Sequence, residues 1–157
     1  MIKIISIGKI KENYLKDAIS EYTKRISRFS KIELIELKDE IIPDNPSDIV
    51  VEKIKDTEGL SILSKIKDDY VIALDLKGEM IDSVEFSKKI EQLNSGGVSK
   101  ITFVIGGSLG LSKSVIERSN YKLSFSKMTF PHQLFRVILL EQIYRAYKIL
   151  NNETYHK

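Results

Sequence analysis

The chain alternates short β-branched apolar runs with longer stretches in which apolar residues recur every three or four positions. Ile2 to Gly8 is such a run, closed by glycine, and reads as a strand. From Glu12 to Phe29 the residues Tyr14, Leu15, Ala18, Ile19, Tyr22 and Ile26 fall at helical spacing, with Lys16, Lys24, Arg25 and Arg28 on the other face. Ile32 to Leu37 alternates apolar and acidic positions, as a strand with one wet face does. Pro43 and Pro46 make 41–47 a loop. Helical spacing returns over 49–66, where Gly59 predicts a late start or an irregularity. The second half is more regular: a buried-type strand from Tyr70 to Leu76, a helix from Asp82 to Leu93 opened by a capping box of Asp82 with Glu85, and a strand from Ile101 to Ile105. A glycine-rich turn, Gly106 to Gly110, precedes a short helix from Ser114, an extended segment at 121–125 and a long helix from Pro131 to Leu150. Strands alternating with helices predict an α/β fold with a mainly parallel sheet and helices on both faces.

The last helix is apolar nearly all round in its first half, through Leu134, Phe135, Val137, Ile138, Leu139, Leu140 and Ile143. Such a helix needs cover on several sides. A central core position is one solution; a second subunit is the favoured one. With 157 residues, the chain is expected to form one domain over 1–157. It has no cysteine and only two histidines, His132 and His156, so a disulfide framework and a thiolate metal site are excluded and no metal is expected. The start, Met1-Ile2-Lys3-Ile4-Ile5, runs straight into a strand pattern without a leader, and no apolar stretch approaches the length of a membrane span. A cytoplasmic protein is expected.

Charge changes the picture once it is divided along the chain. The net +3 conceals +5 over residues 1–31 and +5 over 118–157, which leaves −7 for 32–117. If the fold joins the two basic ends, they form a surface suited to a phosphate backbone; taken alone, a charge run is more often a solvated face.

Three segments are candidates for ligand contact. Ile105-Gly106-Gly107-Ser108-Leu109-Gly110 leaves a strand and enters a turn where glycines let the backbone approach a ligand. It is not a dinucleotide fingerprint, which requires G-x-G-x-x-G and an acid about 20 residues on, nor a P-loop, which requires Gly-Lys-Ser/Thr. Leu74-Asp75-Leu76-Lys77-Gly78 also stands at a strand's carboxyl end, where open α/β sheets bind ligands. The third is Leu123-Ser124-Phe125-Ser126-Lys127-Met128. Each alone is compatible with an ordinary turn.

In order along the chain, Leu74-Asp75-x-x-Gly78, Ile105-Gly106-Gly107-Ser108-x-Gly110, the ten residues Leu123 to His132, Glu141-Gln142-x-Tyr144-Arg145-Ala146 and the terminal Tyr155-His156-Lys157 resemble the RlmH family of ribosomal RNA methyltransferases. The resemblance spans essentially the whole chain, and its ten-residue segment is the most specific part. It implies a SPOUT-type fold with a C-terminal trefoil knot, a homodimer, and S-adenosylmethionine as the cofactor. It further implies methylation of N3 of a pseudouridine in large-subunit ribosomal RNA within the assembled ribosome. Cofactor contacts are implied at Leu74, Gly106, Leu123, Ser124, Phe125, Ser126, Lys127 and Met128.

For the transfer itself, the candidates are His132, Arg145, Tyr155 and His156. His132 follows Pro131 at a helix start, where the dipole favours a neutral imidazole able to accept a proton; a capping or packed histidine fits the position equally well. Glu141 and Arg145 stand at i,i+4 and suit an ordinary pair, with Arg145 also free to meet phosphate. A chain terminus is mobile unless something holds it. The resemblance instead implies that Tyr155 and His156 complete the site and order when RNA arrives. A noncatalytic RNA-binding or ribosome-assembly protein is the competing class, and a nucleotide-dependent oxidoreductase is a weaker one.

Overall fold

The computed structural model describes residues 1–157. In chain order the elements are β1 (Ile2–Ile7), α1 (Asn13–Ser27), β2 (Ile32–Leu37), α2 (Asp48–Leu63), β3 (Tyr70–Met80), α3 (Ser83–Ser95), β4 (Ile101–Ile105), α4 (Lys113–Arg118), β5 (Tyr121–Ser124) and α5 (His132–Leu150). The strands form one sheet in the order β2-β1-β4-β3-β5, and every pairing is parallel. Two interior strands, β1 and β4, are buried along their whole length, which is why their sequences are mostly apolar rather than alternating.

Side-chain alternation divides the core between the two faces. Ile2, Ile4, Ile101 and Phe103 point to the face covered by α1, α3 and α5, where they meet Ile26, Phe86, Ile90, Leu139 and Ile143. Ile5, Ile7, Val71 and Val104 point to the other, where they meet Ile62 of α2 and Val115 of α4. Each fully buried aliphatic or aromatic side chain contributes about 1.5–3 kcal/mol. The one charged residue in β1, Lys3, is buried on the α2 side. Its ammonium lies 2.7 Å from Asp69 and donates to the Lys65 carbonyl, while Thr102 donates to the same carboxylate. Burial alone would raise the Asp69 carboxyl; the bonds to Lys3 and Thr102 and the charges of Lys3 and Lys100 hold it below its ordinary value.

Local signals work as their chemistry requires at most helix starts. Asp82 accepts from Glu85 N–H and Glu85 accepts from Asp82 N–H, both at 2.8 Å, completing the expected capping box. α2 differs from expectation: Ser47 caps it and it starts at Asp48, with Gly59 inside an unbroken helix. A Cβ there would stand 2.2 Å from Ser112 Oγ, so the glycine serves close packing against the start of α4. α5 packs against α1 on one flank and α3 on the other, which buries Leu139, Leu140 and Ile143 and leaves Leu134 exposed and Phe135, Val137 and Ile138 part-buried. Finally, β3 does not end at Leu76. It continues to Met80 through a register break against β5 between Leu74 and Glu79, so 74–78 is an irregular stretch of strand rather than a loop. No helix is long and apolar enough to cross a membrane.

Candidate active site

The carboxyl ends of β3, β4 and β5 open into one cleft of about 880 Å³, at the end of the sheet where parallel α/β folds hold ligands. The three candidate segments all reach it. Leu74 to Lys77 come from the β3 break, Ile105 to Gly110 from the turn after β4, and Leu123 to Ser126 with Met128 from β5 and its following loop. Two glycines permit this convergence. A Cβ on Gly78 would lie 2.7 Å from the Leu123 backbone, and one on Gly106 would lie 2.8 Å from the Gly110 carbonyl carbon. Only a bare backbone allows either approach.

The loop after β5 is folded by its own hydroxyls. Ser124 Oγ donates to the Ser126 carbonyl and Met128 N–H donates to Ser126 Oγ, both at 3.0 Å. Phe125 meets Phe135 edge-on at 4.9 Å, and Phe130 stacks on the same ring at 6.1 Å, making an aromatic wall beside the loop. Seven of the eight cofactor candidates line the cleft: Leu74, Gly106, Leu123, Ser124, Phe125, Ser126 and Met128. Lys127 does not; it faces solvent.

His132 lines the same cleft from the first turn of α5. Burial holds its imidazole below the ordinary histidine value, the Arg136 charge adds to that, and Asp39 opposes it. Desolvation and a nearby cation thus act in the same direction as the helix-start position in disfavouring the imidazolium. Arg136 is not among the sequence candidates, although a lone cation between Phe135 and Val137 is a signal for it. Its guanidinium is buried, donating to the carbonyls of Ile7 and Gly8 at 2.8 and 2.7 Å and to Glu36 at 2.7 Å. It thereby ties the start of α5 to the ends of β1 and β2.

The other three candidates for transfer lie elsewhere. Arg145 donates to Glu141 at 2.6 Å and to His156 Nδ1 at 3.1 Å, Tyr155 donates to Glu141 at 3.1 Å, and the Tyr155 ring lies under the Arg145 guanidinium and edge-on to Tyr144. Burial and the bond to Glu141 push the Tyr155 hydroxyl up to about 12. The bond to Glu141 also raises Arg145. Arg145 stands 13 positions after His132 on one helix, about 20 Å away at 1.5 Å per residue. Within one chain, then, His132 is in the cleft and the other three form a cluster at the far end of α5.

The tail, expected to complete the site when RNA arrives, has partners within its own chain. Glu153 pairs with Arg28 of α1 and Lys148 of α5, and Tyr155 is half-buried, so the terminus is held by its own chain. The same contacts join the two basic ends: the Arg25 guanidinium lies 5.4 Å from the Tyr22 ring centre and 5.7 Å from that of Tyr144. No group of three or more His, Asp or Glu side chains is arranged to hold a metal ion.

A family model described as "Predicted SPOUT methyltransferase" matches residues 1–156. A Clostridium perfringens protein (strain SM101) named ribosomal RNA large subunit methyltransferase H 1 is 64% identical over 157 residues, covering 99% of both chains. A Clostridium tetani protein named ribosomal RNA large subunit methyltransferase H is 60% identical over the same span and coverage. Among solved structures, a probable methylase family protein from Haemophilus influenzae Rd KW20 has the same fold, with a TM-score of 0.52 at 14% identity over 99% of this chain and 70% of that one.

Proposed function

Because the chain belongs to the SPOUT methyltransferase family and, within it, to the ribosomal RNA large subunit methyltransferase H family, we propose that it methylates large-subunit (23S) ribosomal RNA. The donor is S-adenosylmethionine, and the acceptor is N3 of a pseudouridine presented by the assembled ribosome in the cytoplasm. Residues 1–157 act as one domain, with the strand-crossing at Gly78 and Leu123 belonging to a C-terminal trefoil knot. The observation that carries the reading is the convergence of three strand-end segments on one cleft in a chain of this family.

The cleft chemistry fits that donor. Leu74, Leu123, Phe125 and Met128 offer apolar surface for an adenine and an aliphatic chain, and the bare backbone at Gly106 and the curled 124–128 loop offer amides and carbonyls to polar edges. When bound, S-adenosylmethionine supplies a methyl group on a sulfonium, which is already a good leaving group. The protein's task is then alignment of the acceptor nitrogen, and removal of its proton. His132, neutral at the cleft edge, accepts the N3 proton on its imidazole. Arg145 and Tyr155 stay protonated at neutral pH and serve as donors to the negative charge that N3 and its neighbouring carbonyls gain, with His156 beside them.

A homodimer reconciles these roles with the distance along α5. The Arg145, Tyr155 and His156 cluster of one subunit reaches the cleft of the other, and the exposed apolar side chains Met128, Phe130 and Leu134 beside the cleft supply contact surface. Incubating the pure protein with methyl-labelled donor and ribosomes lacking the modification is expected to label one pseudouridine of the large-subunit RNA. Absence of label beside an active control enzyme would sink the proposal. Calorimetry separates the competing class, since a noncatalytic RNA-binding protein takes up no donor.

A further inference from the structure

The mouth of the cleft has two unlike sides. Met128, Phe130 and Leu134, 74%, 36% and 39% exposed, make the side next to α5 apolar. Across from them three lysines arrive from three separate elements: Lys77 from the β3 register break, Lys113 from the start of α4, and Lys122 from β5. All three are exposed and all three line the cleft. Lys77 and Lys122 enter no ion pair, and Lys113 has only Glu117 at 3.7 Å, with its side chain 86% exposed. Two carboxylates share the lining. Asp75 accepts the Lys77 backbone N–H, and Glu52 lies 3.7 Å from a fourth lysine, Lys55.

This convergence is not a consequence of local composition, because Lys77 and Lys113 belong to the 32–117 segment whose net charge is −7. Elsewhere in that segment the acids dominate, and the fold still turns these cations toward the opening. Lysine is a flexible point charge, suited to phosphate oxygens without reading sequence.

We propose that the RNA backbone enters over this side, with phosphates flanking the target nucleotide lying on Lys77, Lys113 and Lys122. The opposite, apolar side is left for the second subunit. The cleft, at about 880 Å³, is near the upper end of ordinary ligand sites and has room for a nucleobase beside a donor. The inference rests on the methyltransferase reading above and adds the direction of substrate approach.

The test is the triple variant Lys77→Gln, Lys113→Gln, Lys122→Gln, compared with wild type for binding to ribosomes lacking the modification across a salt series. Donor affinity is measured in parallel by calorimetry. Releasing about 0.7 of a counterion per lost contact on single strands, the variant is expected to bind ribosomes with a log K against log salt slope shallower by about 2, at unchanged donor affinity. An unchanged slope overturns the proposal. So does a matching loss of donor affinity, which would assign the lysines to the donor. The control Lys53→Gln, Lys65→Gln, Lys67→Gln removes three exposed lysines outside the cleft, and an equal fall in its slope would also overturn the proposal by making the effect one of general charge. Ribosome binding is read without turnover. Wild-type binding without methyl transfer therefore counts against the function alone, and methyl transfer with an unchanged variant slope counts against this inference alone.

Discussion

The two ends of α5 carry charged groups in opposite ways. At the start, Arg136 is buried beside a half-buried His132, and the partners of Arg136 lie more than 90 positions away at Ile7, Gly8 and Glu36. At the finish, Arg145 is bound to Glu141 one turn back and to His156 in the tail, all near the surface. The first arrangement exists only if the sheet is assembled, and its desolvation keeps an imidazole neutral. The second is built from neighbours in sequence and can present itself to another molecule without disturbing the core. Rigid positioning and external contact are thus separated along a single helix.

Removing the outer end is expected to have the largest effect on activity. Deleting Tyr155, His156 and Lys157 should lower single-turnover methyl transfer at least ~100-fold, the scale of losing preorganised donors at a reacting centre, while donor affinity by calorimetry stays within about twofold. Retained turnover would break the comparison, because the tail would then be mere packing.

The inner end is expected to show itself in stability instead. Arg136→Met strips donors from two buried carbonyls and from Glu36, and should cost about 2–4 kcal/mol in denaturant unfolding. Arg145→Met removes a partly exposed i,i+4 pair and should cost no more than ~1 kcal/mol. Equal costs for the two would erase the distinction between the ends. Gly78→Ala tests the crossing that shapes the cleft: with a Cβ 2.7 Å from backbone that cannot yield, about 1–3 kcal/mol of destabilisation is expected, with weaker donor binding.

The smallest effect is one of pH. His132 has a folded value below its ordinary 6.5, so the unfolded chain takes up a proton first as pH falls. Its contribution to stability is therefore complete above about 6.5 and declines from there down to the lower folded value. His132→Gln should flatten that part of the stability profile. Asp39→Asn, which removes a charge that raises the imidazole, should move the lower limit of the decline to more acid pH. A profile unchanged in both variants would show that burial does not hold His132 below its ordinary value.

Much of this architecture was legible along the chain. The five strands, the helices between them and the Asp82 capping box follow from periodicity and side-chain hydrogen bonding over a few residues, and the three segments at the cleft were marked by glycine and hydroxyl placement at strand ends. Less legible were features whose cause is remote. β3 reads as ending at Leu76 because its hydrophobic pattern stops there; it runs on because β5 pairs beyond the register break. Gly59 reads as a late start or an irregularity of α2, whereas Ser112, more than 50 positions on, requires it.

By itself, the sequence determined the order and type of the elements, which depend on short-range periodicity and side-chain chemistry; the residues expected to meet a methyl donor follow from the resemblance of its motifs to a family. Only the tertiary structure decided that Arg136 is a buried clamp, that the tail is anchored beside Arg145, and that lysines from an acidic segment face the cleft. Each of these depends on which distant backbone stands opposite a side chain, and on how far water is excluded between them; neither quantity is encoded in local spacing.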